Sequence, residues 1–221
     1  LSPTEAARDK IWELGHGNPL CLRIVALRLK DIPEQDAARD KMGAELHAIE
    51  ESRRDIWDYA EVHVYDQWSV ELQEFMEEVC IVEQFDLQMA QQITKKKEAG
   101  RLIQQAKEAG NFLIEFRERE RSVYELIPPM KHSMRRRLFA KYSQDSIKAL
   151  YYSAGNSYEI DGNVREALKM YEMCHCEEGI SRILIENTRR NPASGEYFEL
   201  RHYYLALPED IIRESVELMA G

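Results

Sequence analysis

EAGRLIQQAKEAGNFLIEFRERERSVYELIPPMKHSMRRRL, residues 98–138, changes its hydrophobic period twice. Leu102, Ile103, Ala106 and Ala109 recur at three- and four-residue spacing, which puts them on one face of a helix. Gly110-Asn111 stops that helix, because both residues tolerate the left-handed geometry of a helix C-terminus. Phe112, Ile114 and Phe116 then alternate with polar neighbours, and a second alternating run, Val123 to Ile127, follows the charged RERERS tip. Pro128-Pro129 ends this hairpin, and the chain returns to helix through the basic run Lys131 to Arg137.

Just upstream, two short apolar helices are expected at Val70 to Val82 and Asp86 to Thr94. Three helices followed by a hairpin is the order that a winged-helix domain needs. The charge is uneven here. The whole chain carries −10, yet thirteen Lys and Arg stand against six Glu between Thr94 and Lys141, a local +7 that leaves −17 for the remainder. Two readings stay open: a phosphate-facing surface, or a solvated face paired with acidic neighbours in the same chain. For phosphate or DNA the candidates are Arg101 and Lys107 on the would-be recognition helix, with Gln104 and Gln105 beside them. Arg117, Arg119 and Arg121 stand at the wing, and Arg135, Arg136 and Arg137 on the exit helix. Glu98, Glu108, Glu118 and Glu120 lie among them and oppose that reading.

The 221 residues suffice for one large or two modest domains. Four cysteines, at 21, 80, 174 and 176, show no paired framework, so a reduced, cytoplasmic protein is expected. No apolar run approaches the roughly 20 residues that span a bilayer, and no membrane partner is expected. The chain opens on Leu1 and reads as an interior piece of something longer.

Ser2-Pro3-Thr4-Glu5 opens a helix that closes at Gly15. Gly17-Asn18-Pro19 leads into a second helix whose Leu20, Leu22, Ile24, Val25, Leu27 and Leu29 are apolar over most of its surface, hence buried. Asp31 to Arg54 is a polar connector. The helix Ile56 to Trp68 carries Trp57, Val64 and Trp68, assigned to packing.

Beyond Tyr142 the chain is helical. Tyr151, Gly155, Tyr158, Gly162, Ala167, Tyr171 and Cys174 fall at the spacings of a tetratricopeptide unit, with Asp161-Gly162-Asn163 as its turn. One such unit cannot bury its own face. Ile180 to Asn187 and Glu196 to Leu207 supply neighbouring helices across the loop Asn191 to Gly195. Tyr151, Tyr152, Tyr158, Tyr171, Tyr203 and Tyr204 could form a ligand face, but core is the preferred assignment. Cys174-His175-Cys176 on one helix would point about 100° apart, so no metal site is expected. No catalytic dyad, triad or nucleophile elbow appears, and no enzymatic chemistry is expected.

Resemblances cover nearly the whole chain. Gly17-Asn18-Pro19-Leu20-Cys21-Leu22 resembles the G-x-P-L-A-L element of the helical domain that follows the nucleotide-binding core in STAND-type ATPases. There the proline lies against the adenine, and Pro19 takes that place. No G-x-x-x-x-G-K-[ST] loop occurs among these residues, so a phosphate site for ATP or ADP would lie upstream of Leu1.

Val70 to Leu138 resembles the winged-helix domain of large LuxR-type regulators built like the maltose-regulon activator, the MalT-like kind. The likeness rests above all on Tyr124-Glu125-Leu126-Ile127-Pro128-Pro129-Met130 running into Arg135-Arg136-Arg137-Leu138. The family commonly has a histidine, suggestive of a phosphate sensor, where Ile127 stands, and isoleucine has no donor for a phosphate oxygen. Leu200-Arg201-His202-Tyr203-Tyr204-Leu205-Ala206-Leu207-Pro208-Glu209 is similar to the aromatic helix ending in A-L-P-E that opens the helical-repeat sensor of the same regulators.

The expected fold is mainly α. Residues 1–54 end an ATPase helical domain, 55–141 form a winged helix with a small β-hairpin, and 142–221 begin TPR-like superhelical repeats. The resemblance implies a regulatory coupling segment of an ATP-binding transcriptional regulator. Its partners would be a nucleotide-binding domain upstream, further repeats and a DNA-binding helix-turn-helix downstream, and an inducer or protein ligand, with DNA reached through the parent. The alternatives are a TPR-like protein-interaction adaptor and a winged-helix module that binds DNA directly.

Overall fold

The structure, a computed structural model, describes residues 65–109, 112–118, 120–190, 196–213 and 215–220, together with Asp9 and Trp12. Asp9 and Trp12 are helical. The other readings between Ser2 and Val64, Pro19 among them, lie outside the described residues, as do those on Gly110-Asn111, Arg119 and the loop Asn191 to Gly195. The described residues divide into two compact units: those up to Gln91 with Lys96–Leu138, and Gln92–Lys95 with those from Phe139 onward.

In the first unit, α1 (Val70–Val79) starts where the Ser69 side chain accepts the Leu72 N–H at 3.3 Å, and it buries Leu72, Phe75, Met76 and Val79. It stops three residues short of the expected Val82. The physical reason is a cap from far along the chain: the Arg135 guanidinium donates to the carbonyls of Cys80 at 3.0 Å and Ile81 at 3.1 Å. A two-residue strand, β1 (Phe85–Asp86), occupies the place where the second helix was expected to begin. Asp86 Oδ1 accepts the Met89 N–H at 2.8 Å, so α2 (Leu87–Thr94) starts one residue late with Asp86 as its cap. The helix α3 (Ala99–Glu108) buries Ala99, Leu102, Ile103 and Ala106, the face expected from their spacing, and packs on α1.

Strands β2 (Leu113–Glu118) and β3 (Arg121–Leu126) pair antiparallel from Leu113 opposite Leu126 to Glu118 opposite Arg121, and β1 joins the other edge of β3. Glu120, with φ 74°, turns the hairpin. The alternation identified the strand but not its inner face. Phe112 and Leu113 are the buried pair, whereas Ile114 and Phe116 are each 40% exposed on a wing that extends past the core. In α4 (Pro128–Lys141), Met130, Met134 and Leu138 recur every fourth residue and are buried together with Ile127. Phe75 meets Phe85 edge-on at 6.4 Å and Trp68 meets Phe112 at 5.7 Å, which ties helices and sheet into one core. Three helices and a three-stranded antiparallel sheet in this order make a winged helix.

The second unit holds α5 (Gln144–Ile160), α6 (Val164–Met173), α7 (Glu177–Arg190), α8 (Glu196–Ala206), α9 (Glu209–Arg213) and α10 (Val216–Ala220). Ser143 caps α5 and Asn163 caps α6. Between them Gly162 has φ 75°. Its N–H reaches the Glu159 carbonyl at 3.1 Å and the Asn163 N–H the Tyr158 carbonyl at 2.8 Å, a Schellman stop that needs a left-handed residue. Tyr171 is wholly buried and its ring lies against two glycines: a Cβ on Gly155 or on Gly179 would come within 2.8 Å of ring carbons. Tyr151, Tyr158, Tyr203 and Tyr204 are also buried, and only Tyr152 of the six tyrosines considered as a face is exposed. Helical hairpins stacked in series are the architecture of this unit.

Candidate functional site

The basic segment of the winged helix meets an acidic stripe. Glu71, Glu74 and Glu78 recur at three- and four-residue spacing on α1, which aligns them along one side of it. Arg101 of α3 places its guanidinium 2.6 Å from the Glu71 carboxylate and donates to Gln105 at 3.2 Å. Lys96, in the turn before α3, lies 3.1 Å from Glu74 and 3.9 Å from Glu78. Two of the cations nearest the would-be recognition surface are therefore held by the helix behind it.

Lys107 bonds Glu115 on β2 at 2.6 Å. That hydrogen bond raises the lysine above its ordinary range and, with a second bond from Ser122, holds the Glu115 carboxyl below the usual carboxylate range. Gln104 is turned along its own helix to Glu108 at 2.7 Å. On the wing, Arg121 faces Asp86 at 3.6 Å, and Arg117 is exposed close enough to Glu115 to favour its charged form. Arg119 lies outside the described residues.

The three consecutive arginines of α4 go three ways. Arg135 caps α1 and reaches Glu83 at 3.5 Å. Arg137 stacks over the Tyr65 ring at 3.9 Å, where the ring's negative face attracts the cation. Arg136 is exposed. Lys131, one turn earlier, is buried and paired with Glu83. Sequence reasoning named Arg101, Lys107, Arg117, Arg119, Arg121, Arg135, Arg136 and Arg137 as candidates; it missed the acidic stripe of α1 and the roles of Lys96 and Lys131. The signal for the stripe was present in the spacing of Glu71, Glu74 and Glu78.

Residues 60–146 match the family model of the MalT winged helix domain. No curated protein matches the chain. Within the matched MalT-type segment, position 127 is informative. Ile127 is 2% exposed, and its N–H already donates to the Phe112 carbonyl at 3.1 Å. It offers a phosphate neither a side-chain nor a free main-chain donor, so a nucleotide phosphate finds no contact at this position.

Within the same domain lies a second polar cluster. Tyr65 donates to the buried carboxylate of Glu77 at 2.5 Å, and burial followed by that bond pushes the Tyr65 hydroxyl well above its ordinary range. Arg137 covers the same ring. Burial raises the thiol of Cys80 to about 12 and makes it inert. In the second unit, Cys174-His175-Cys176 corrects the helical reading made for it. Helix α6 ends at Met173 and α7 begins at Glu177, so the three residues form the turn between them, with His175 at φ 56°. Their side chains therefore do not follow the 100° spacing of a helix.

Proposed function

We propose that this chain is a coupling segment of a MalT-like transcriptional regulator, in which the winged helix relays state rather than reading DNA. The observation that carries the proposal is the engagement of the recognition-helix cations: Arg101 and Lys107 are spent on Glu71 and Glu115 of their own domain. A helix that reads the major groove presents such side chains to base edges and phosphates instead. The match of residues 60–146 to the MalT winged helix supports the regulator class.

In this reading ATP or ADP is bound by an upstream STAND-type domain, with Pro19 against the adenine, and a LuxR-type helix-turn-helix downstream contacts DNA. The helical hairpins after Tyr142 begin a TPR-like sensor for an inducer or protein ligand in the cytoplasm. The segment itself carries no enzymatic step. Effector binding must favour one of two packings of the winged helix, and the shift can be no larger than the effector's differential affinity for them. With Ile127 in place of a histidine, nucleotide state reaches the winged helix through packing and not through a phosphate contact here.

The test is made in the full-length regulator. Glu71→Gln, which releases Arg101, should displace the effector dose-response of transcription while leaving the affinity of the intact protein for its operator unchanged at moderate salt, where contacts of a freed cation with phosphate are screened. A change in operator affinity with an unmoved dose-response would overturn the proposal.

A further inference from the structure

The turn that joins α6 to α7 is built around two thiols and a strained residue. Helix α6 closes by a Schellman arrangement: the Cys176 N–H donates to the Tyr171 carbonyl at 2.9 Å and the His175 N–H to the Glu172 carbonyl at 3.0 Å. That arrangement needs a left-handed residue, and the preceding joint supplies Gly162. Here it is His175, whose Cβ makes φ 56° costly, on the order of 1 kcal/mol. Strain of this kind is retained where surrounding structure over-determines it, and it points toward function.

The two sulfurs differ in setting. Cys174 is buried, and its thiol shares the Tyr171 carbonyl with the Cys176 amide, donating at 3.4 Å. The Cys174 sulfur thus lies beside the backbone of Cys176. The Cys176 side chain is only half-buried, and its sulfur accepts the Gly179 N–H at 3.4 Å, standing as the cap of α7. An extended Cys-X-Cys would hold its Cα atoms about 7 Å apart, outside the bridging range of roughly 4.4–6.8 Å, whereas these two cysteines flank a left-handed residue in a turn and not in an extended strand.

We propose that Cys174 and Cys176 form a dithiol site that reacts with low-molecular-weight disulfides such as oxidised glutathione and closes reversibly across His175. The Cys176 thiol gives its proton to solvent and attacks one glutathione sulfur, the glutathione disulfide breaks, and one glutathione thiolate leaves. The Cys174 thiol gives its proton to solvent and attacks the Cys176 sulfur, expelling the second glutathione. Two protein thiols are oxidised and one glutathione disulfide is reduced to two thiols. Closure withdraws both sulfurs from the Tyr171 carbonyl and the Gly179 amide, so it uncaps α7 next to the Tyr171–Gly179 contact. Cys80, wholly buried and bonded through its sulfur to the Glu77 carbonyl at 2.9 Å, takes no part.

The test incubates the native chain with oxidised glutathione, quenches with acid and locates the products by digestion and mass spectrometry. The wild type should yield a peptide lacking two hydrogens and linked between Cys174 and Cys176. Cys174→Ser should retain glutathione on Cys176, and Cys176→Ser should give neither product. Closure of the wild type should be several-fold faster in the native chain than in urea, a difference that depends on the folded turn. A stable adduct on wild-type Cys176 without the link, an unmodified peptide, or equal rates folded and unfolded would each overturn the proposal.

Discussion

The Arg101 guanidinium lies 2.6 Å from the carboxylate of Glu71, thirty residues earlier in the chain. Both side chains are about half exposed, so the pair contributes little stability, within ~1 kcal/mol. Its consequence is where the cation points. Glu71→Gln combined with Glu115→Gln should leave the denaturation midpoint nearly unmoved and give the isolated chain a salt-sensitive affinity for duplex DNA that the wild type lacks. Anisotropy titrations at two salt concentrations, paired with urea denaturation, measure both.

Arg135 and Arg136 are neighbours in sequence with different roles. Arg135→Ala removes the donors that hold the Cys80 and Ile81 carbonyls and should cost about 1–2 kcal/mol, discounted because the side chain is 39% exposed. Arg136→Ala, at an exposed position where any pairing is screened by solvent, should cost less, within ~1 kcal/mol of wild type. Chemical denaturation of the two variants separates a strap that holds the helices together from a surface charge.

Gly155→Ala sets two effects against each other. Alanine favours a helix interior by about 1 kcal/mol over glycine, but its Cβ would lie 2.8 Å from the ring of a tyrosine with no exposed surface. Overpacking should win and the variant should lose ~1–3 kcal/mol. His175→Gly works in the opposite direction, because it relieves a left-handed histidine, and should gain roughly 1 kcal/mol. Thermal melts that report the second unit decide both.

Glu159 joins the helices of the second unit through Arg182, at 2.8–2.9 Å, and the Tyr171 hydroxyl at 2.6 Å. The Arg182 hydrogen bond is the largest cause of its lowered pKa, against the opposing effect of burial, and the tyrosine bond adds to it. A carboxyl depressed in the folded state binds its proton more readily when unfolded. Its stabilising contribution is full above the unfolded value, about pH 4.3, and is lost as pH falls through the lower folded one. Glu159→Gln should therefore flatten the acid side of the stability profile below about pH 4–5 and, because the same carboxylate helps raise the Tyr171 hydroxyl, also lessen the loss of stability above about pH 10, as followed by denaturation across pH.

Much of the winged helix was legible in local spacing. Leu102, Ile103 and Ala106 announced a buried face, and Phe112 to Ile127 announced a hairpin, because those signals arise within one element. The inside of the wing was not legible: Ile114 and Phe116 alternate correctly yet point to solvent, since the strand outruns the core it starts from. The partners of the cations were hidden for another reason. Glu71 and Arg101, or Cys80 and Arg135, are brought together only by tertiary packing, and a basic run looks the same whether it faces phosphate or its own carboxylates. The turn at His175 escaped because its left-handed geometry was given to a residue that carries no turn signature, whereas Gly162 displayed it openly.

The most direct measurement is the anisotropy of a labelled generic DNA duplex titrated with this chain at low and at moderate salt. Engagement of Arg101, Lys107 and Arg135 within the domain predicts no saturable binding even at low salt. A saturable affinity that collapses between the two salts would show the +7 segment releasing counterions from phosphates, and would contradict the account.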